Sequence, residues 1–155
     1  MNTPILMQAK ILNVNFGKDV KVVEPVNMYG CSVGDNCFIG PFVEIQKNVQ
    51  IGKNTKVQSH TFICEQVTIG DECFIGHGVM FINDIFSRGG PARGDKSLWK
   101  PTSIGNNVSI GSNATIMPVN ICDRVVIGAG AVVTKHITES GIYAGNPARL
   151  IRKLD

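Results

Sequence analysis

From Val33 to Phe81 an apolar residue returns at every sixth position: Val33, Ile39, Ile45, Ile51, Val57, Ile63, Ile69, Ile75 and Phe81. A helix spaces its apolar residues three or four apart and a half-buried strand alternates by two, so neither explains this period. Six residues make one short strand and one corner. Three such units close a triangular turn of eighteen residues, and strands of successive turns pair about 4.8 Å apart. A period held this long predicts a solenoid, in which each unit buries its apolar face only against its neighbours. The leader and the fifth residue of each hexad point inward. Small fifth-place residues such as Val43, Thr55, Thr61 and Val67 suit a narrow interior, where threonine can bond to backbone. Gly or Asn at the corners tolerates the backbone geometry required there.

Outside this core the period loosens. Residues 1–15 read as an irregular or short-strand lead-in, and Phe16, Val22 and Met28 begin loose hexads. After Phe81 the pattern breaks: residues 87–97, SRGGPARGDKS, carry four charges, three glycines and no leader. This predicts a loop, 84–101, extruded from a corner. Leu98 is a candidate to open the next hexad, and Ile104, Ile110, Ile116, Ile121, Ile127 and Val133 continue the coil, with a slip of one residue at Pro118. Counting the loose ends gives 19 hexads, about six turns. Residues 141–155 leave the repeat as a cap, with 148–154 a short helix or a final strand closing the open end. The whole, 1–155, reads as one domain.

Composition narrows the function classes. Charged residues are only 17% of the chain and the net charge is +3 without a polybasic block, which argues against nucleic acid as a partner. No apolar run approaches the ~18 residues of a membrane span, and the N-terminus MNTPILMQAKILNV lacks a signal-peptide layout. The five cysteines show no CxxC or CxxH spacing. Cys37 and Cys73 fall at fifth places, as small buried residues would, so a reducing cytoplasm is the expected location. His60, His77 and His136 match the count of a three-histidine zinc site but contain no close pair, so no metal is expected.

The repeat resembles that of the hexapeptide-repeat acyltransferases over residues 16–153. The stretch IGAGAVVTKHI followed by AGNPARLIRKL is similar to their acetyl-coenzyme A end. The stretch SHTFICEQVTIGDECFIGHGVMFIND resembles the nucleotide-amino-sugar N-acetyltransferases of bacterial surface-glycan (lipopolysaccharide, O-antigen) biosynthesis. The resemblance implies an all-β, left-handed parallel β-helix that assembles as a homotrimer. It implies acetyl-coenzyme A as donor and a UDP- or dTDP-linked 3-amino sugar as acceptor. The large N-terminal nucleotide-binding domain of some relatives is expected to be absent.

Counting hexads from Ile45 puts leaders 45, 63 and 81 on one face. If Leu98 opens a hexad, 110 and 127 join that face, and the third-place residues Lys47, Glu65, Asn83, Ser112 and Ala129 form one column beside the loop. The resemblance assigns Glu65 and Asn83 to the amino sugar, backbone at Ser112 and Ala129 to the pantetheine arm, and Thr134, Lys135 and Arg152 to the adenosine phosphates. Arg149 and Lys153 add to this basic end, whose charge suits phosphate. In O-acetylating relatives a histidine near the place of Asn83 deprotonates the hydroxyl; here the residues are Phe81-Ile82-Asn83-Asp84, and an amide cannot act as that base, which favours an amine acceptor. The coenzyme sulfur is then the implied final proton acceptor. His77 lies on another face, with Pro41 and Ser59, and is expected to act across a subunit interface. His60 reads as a surface or interface residue. Alternatives stay open: Asn83 as a solvated corner with Glu65 paired to Lys47, O-acetylation with His77 as base, another acyl group, or a non-catalytic scaffold.

Overall fold

The computed structural model describes residues 3–154. Its strands form three parallel sheets, one per face of a triangular coil of about seven turns, the fold expected of a left-handed β-helix. Face I holds Ile11–Leu12, Asn27–Tyr29, Glu44–Ile45, Phe62–Ile63, Met80–Phe81, Thr115–Ile116 and Val132–Val133. Face II holds Asn15–Phe16, Ser32–Val33, Gln50–Ile51, Val67–Ile69, Thr102–Ile104 and Asn120–Ile121. Face III runs from Lys21–Val22 through Phe38–Ile39, Lys56–Val57, Phe74–Ile75, Ser109–Ile110 and Val125–Ile127 to Gly141–Ala144. Coiling thus begins at Ile11, earlier than the loose hexads suggested. No helix among the described residues is long and apolar enough to cross a membrane.

Leaders and fifth-place residues fill the interior. Ile39, Ile45, Ile63, Ile75 and Phe81 are fully buried, as are Val43, Thr55 and Thr61. Each large aliphatic side chain withdrawn from water contributes about 1.5–3 kcal/mol. The buried hydroxyls satisfy the next turn: Thr61 Oγ1 donates to Gly76 O at 2.9 Å and Thr55 Oγ1 to Gly70 O at 3.0 Å. Cys37 and Cys73 do the same through Sγ, to Gly52 O and Gly105 O. All five cysteines are unpaired. Burial pushes the Cys31 thiol up to about 11 and that of Cys64 to about 12.

The corners between faces II and III are tied axially by carboxylates. Asp35 Oδ1 accepts from Lys18 N, Asp71 Oδ1 from Lys53 N and Asp123 Oδ1 from Asn106 N, at 2.7–2.8 Å. At the fourth place of many hexads the backbone is left-handed, and Asn36, Asn48, Asn54, Asn107 and Asn113 occupy it. Asparagine enters this region more readily than most non-glycine residues.

Two expectations are corrected. Leu98 opens no hexad; it ends a short 3-10 turn, Lys96–Leu98, inside the extruded loop. The first strand after the loop, Thr102–Ile104, pairs with Val67–Ile69 and so lies on face II. Ile110 and Ile127 therefore stand in register with Ile75 on face III, while Ile116 and Val133 follow Phe81 on face I. Ser112 and Ala129 consequently share a column with His77, not with Asn83. The coil has about seven turns rather than six. Of the two forms expected for the chain end, it takes the strand: Arg149–Lys153 returns antiparallel along Gly141–Ala144 and covers the end of face III.

Candidate active site

The corner leaving face I carries the acidic and amide residues singled out above. Glu65 and Asn83 stack on successive turns, and Asn83 Nδ2 donates to Glu65 O at 3.2 Å. The chain then departs as the loop and folds back on its own root, where Lys100 N donates to Asn83 O at 2.9 Å. Asp84 shapes the loop by accepting from Phe86 N at 2.9 Å and Ala92 N at 2.7 Å. Asp95 caps the 3-10 turn; bonds from Ser97, helped by Arg88 at 3.9 Å, hold its carboxyl below the ordinary value.

That turn delivers Lys96 to Glu65. Its Nζ lies 2.8 Å from Oε1 and 2.7 Å from Oε2, and 5.1 Å from the centre of the Trp99 ring. The Glu65 side chain is only 12% exposed, so the pair is screened on the glutamate side. Glu65 thus takes its partner from the loop, not from Lys47. Two turns before Glu65, Tyr29 keeps its proton more firmly than a free phenol: burial first, then the charges of Glu44 and Glu65, raise its pKa. Neither Lys96 nor Tyr29 stood out in the sequence. Tyr29 follows the face I leader Met28, a place that could have marked it.

The opposite edge of face I is a second corner. Asn113 N donates to His77 O, and Gly130 N to Ser112 O, both at 2.8 Å, which stacks His77, Ser112 and Ala129 on successive turns. Ser112 Oγ and His77 Nδ1 lie 3.5 Å apart. His77 and Asn83 are one hexad apart, with the Met80–Phe81 strand between them. The same separation divides Ala129 from Lys135.

Near the C-terminal end a groove of about 270 Å³ is lined by Thr134, Lys135, His136, Tyr143, Ala148 and Arg149. His136 is structural: its Nδ1 accepts from Asn120 N at 2.8 Å. Arg152 is not part of the groove lining; its Nη1 donates to Lys153 O at 3.3 Å. The expected coenzyme set is therefore divided: Ser112 and Ala129 lie on one edge of face I, Thr134 and Lys135 on the other, and Arg149 on the returning strand beside Ala144, where it lines the groove. His60 and His77 occupy one corner and His136 another, and among the described residues no three His, Cys, Asp or Glu side chains cluster as metal ligands.

The chain's hexads match those of known transferase families. The family described as bacterial transferase hexapeptide (six repeats) matches residues 30–65, and the hexapeptide repeat of succinyl-transferase matches 66–81 and 101–135. The gap between the last two is the loop. Together these matches cover more than half of the chain, which belongs to the hexapeptide-repeat transferases. Galactoside O-acetyltransferase of Escherichia coli (strain K12) is 35% identical over 130 residues, 80% of this chain and 64% of that protein. The chain thus spans less than two thirds of that relative's length. A hexapeptide-repeat acetyltransferase of Vibrio cholerae, solved with acetyl-coenzyme A, superimposes with a TM-score of 0.68 at 27% identity, over 81% of this chain and 72% of that one. A mutant of AntD, an N-acyltransferase from Bacillus cereus, solved with dTDP-4-amino-4,6-dideoxyglucose and coenzyme A, superimposes at 0.80 over 93% of this chain and 85% of that one. At 23% identity that last likeness is one of fold.

Proposed function

We propose that this protein is an acyltransferase that moves an acetyl group from acetyl-coenzyme A to the amino group of a nucleotide-linked sugar, a UDP- or dTDP-bound 3-amino sugar of a surface-glycan pathway. The observation that carries the amine over the hydroxyl is the Glu65 carboxylate, whose two oxygens hold a primary ammonium, Lys96 Nζ, at 2.8 and 2.7 Å. A carboxylate that cradles one amine is suited to another. Asn83, stacked on Glu65, offers an amide to orient the sugar. The amine reacts in its neutral form: the bound ammonium first gives one proton to solvent, after which nitrogen carries its own lone pair and needs no enzyme base to create the nucleophile. It attacks the thioester carbon; the C–N bond forms as the carbonyl oxygen gains charge, N–H donors stabilise that oxyanion, and the C–S bond then breaks. The proton lost by nitrogen ends on the departing sulfur, and the His77 imidazole is the group that relays it.

Coenzyme A fits the donor set of the C-terminal groove, where Thr134, Lys135 and Arg149 offer a hydroxyl and two cations to phosphate. Backbone at Ser112 and Ala129 serves the pantetheine arm, and Arg152 stands nearby on the returning strand. Each functional set is divided between the two edges of face I. A homotrimer with face I turned to the threefold axis brings one edge of each subunit to the opposite edge of the next and unites both sets. Unpaired, buried cysteines suit a reducing cytoplasm.

A hydroxyl acceptor is the second reading, with His77 as base. It is favoured by the exposed imidazole of His77 beside Ser112 Oγ and by the similarity to a galactoside O-acetyltransferase. Thiol release from acetyl-coenzyme A, measured with UDP- and dTDP-amino sugars and with the matching hydroxyl sugars, decides between them. Turnover of the amine alone is expected. Equal use of the hydroxyl sugar removes the amine reading, and no turnover of either removes both.

A further inference from the structure

We propose that the stacked pair Phe42–His60 is the platform on which the pyrimidine base of the acceptor lies. The inference rests on the nucleotide-sugar reading above. The two rings are 4.9 Å apart between centroids and inclined by 30°. They occupy the fourth place of hexads on successive turns at the His77 corner. The column is fixed by backbone bonds: Phe42 N to Pro25 O, His60 N to Pro41 O, Gly78 N to Ser59 O. Further along, the same place is held by Gly78, Asn113 and Gly130, all with positive φ. Phe42 and His60 adopt it too, at φ 61° and 64°. A bulky side chain is disfavoured in this region, and glycine or asparagine is the low-strain choice. Gln66 and Glu72 adopt the same backbone at other corners, so it is the exposed, stacked aromatic pair held there that points to use, not packing. Phe42 is 58% exposed and does not belong to the buried core.

The position along the coil selects the ligand. Coenzyme-binding groups lie on the C-terminal side of His77, so the acceptor extends toward the N-terminal turns. Phe42 sits two turns from Gly78, about 9.6 Å at the spacing of paired strands. A ribose and a pyrophosphate bridge such a span between an amino sugar near His77 and a base over Phe42. Beside the ring a groove of about 250 Å³ is lined by Pro25, Val26, Asn27 and Glu44 among others. An amide and a carboxylate complement the imide edge of uracil or thymine, whose carbonyls accept and whose N–H donates. Stacking on an aromatic face supplies the remaining affinity.

The test uses Phe42→Asn, which removes the ring yet suits the left-handed backbone as Asn113 does, beside Phe42→Trp, which keeps a ring. Calorimetry with UDP and dTDP alone is expected to show binding weakened roughly ten-fold or more by Phe42→Asn and retained by Phe42→Trp. His60→Asn should weaken it less. The KM for the nucleotide amino sugar should rise in parallel, while turnover of the base-free amino-sugar 1-phosphate and the KM for acetyl-coenzyme A stay unchanged. Unaltered UDP and dTDP affinity in Phe42→Asn overturns the platform, as does a wild type that binds neither. Loss of the oligomer in light scattering assigns Phe42 to a subunit contact and likewise overturns it. Nucleotide binding that depends on Phe42 without turnover of any amino sugar leaves the platform standing and removes only the reaction proposed above.

Discussion

Lys96 of the extruded loop places its ammonium between both oxygens of Glu65, at 2.8 and 2.7 Å, across 31 residues of chain. The residue best placed to bind an amine is therefore already occupied by one. Two further contacts keep the loop in this pose: Trp99 beneath the ammonium, and Lys100 N bonded to Asn83 O. On the proposed amino-sugar reading, an incoming amino group displaces Lys96 to reach Glu65.

Lys96→Ala should accordingly lower the KM for the amino sugar with little change in kcat. A half-exposed ion pair contributes up to about 1 kcal/mol, so the expected fall is roughly two- to five-fold. Steady-state kinetics at low and high salt provide the check. Wild-type KM should drop toward that of the variant as salt screens the pair, and a rise in KM on mutation would mean that the loop itself is part of the acceptor site.

Asn83→Ala should reduce kcat/KM by about 10²-fold, the scale of losing one positioned transition-state contact. Calorimetric affinity for coenzyme A should stay unchanged, since the C-terminal groove is untouched. Glu65→Gln keeps the shape but not the charge, so its effect should fall on KM. A fall in kcat with a new pH dependence would instead make Glu65 a base.

At the basic end, the groove includes Lys135 and Arg149 but not Arg152. Lys135→Ala and Arg149→Ala should each weaken coenzyme A binding by about 1.5–3 kcal/mol if the phosphate contact is well formed. Arg152→Ala should cost less than either. Calorimetry ranks the three, and a dominant effect of Arg152 would move the phosphates out of the groove.

The period of six made the core legible as far as Phe81. Ile39, Ile45, Ile63 and Ile75 are buried as expected, and the fifth-place threonines bond to backbone as expected. The loop then hid the phase of the coil, because Leu98 is apolar and lies six residues before Ile104. Reading it as a leader shifted Ser112 and Ala129 by a third of a turn. A finer signal was present: third places on face II are polar caps, Asp35, Lys53, Asp71, then Asn106 and Asp123, and this series identifies Ile104 as a face II leader. The Lys96–Glu65 pair was not legible, because the periodicity constrains the coil but not the path of a segment outside it.

The thiols offer a check on packing independent of activity. Burial raises Cys31 to about 11 and Cys64 to about 12, and raises Cys37 and Cys73 as well. At pH 8 these groups are protonated and shielded, and the thiolate is the reactive form. A thiol reagent should therefore titrate the half-buried Cys122 first and the other four only after unfolding. Rapid reaction of several thiols in the native protein would contradict the closed interior.

Subunit mixing tests where the site lies. Asn83 and His77 are on opposite edges of face I, one hexad apart and with a strand between them. Asn83→Ala and His77→Ala should each be nearly inactive alone. If the site joins one subunit's Asn83 to the next subunit's His77, a mixed ring regains intact sites wherever a His77→Ala subunit lends its Asn83 to an Asn83→Ala neighbour. Random one-to-one assembly of a cyclic trimer then restores about a quarter of wild-type activity, since each site draws on two independently chosen subunits. Co-expression of the two variants at equal levels, with the whole trimer population assayed without selection for mixed rings, gives the measurement. If both residues act within one chain, mixing restores nothing; recovery near a quarter requires that they act across the interface.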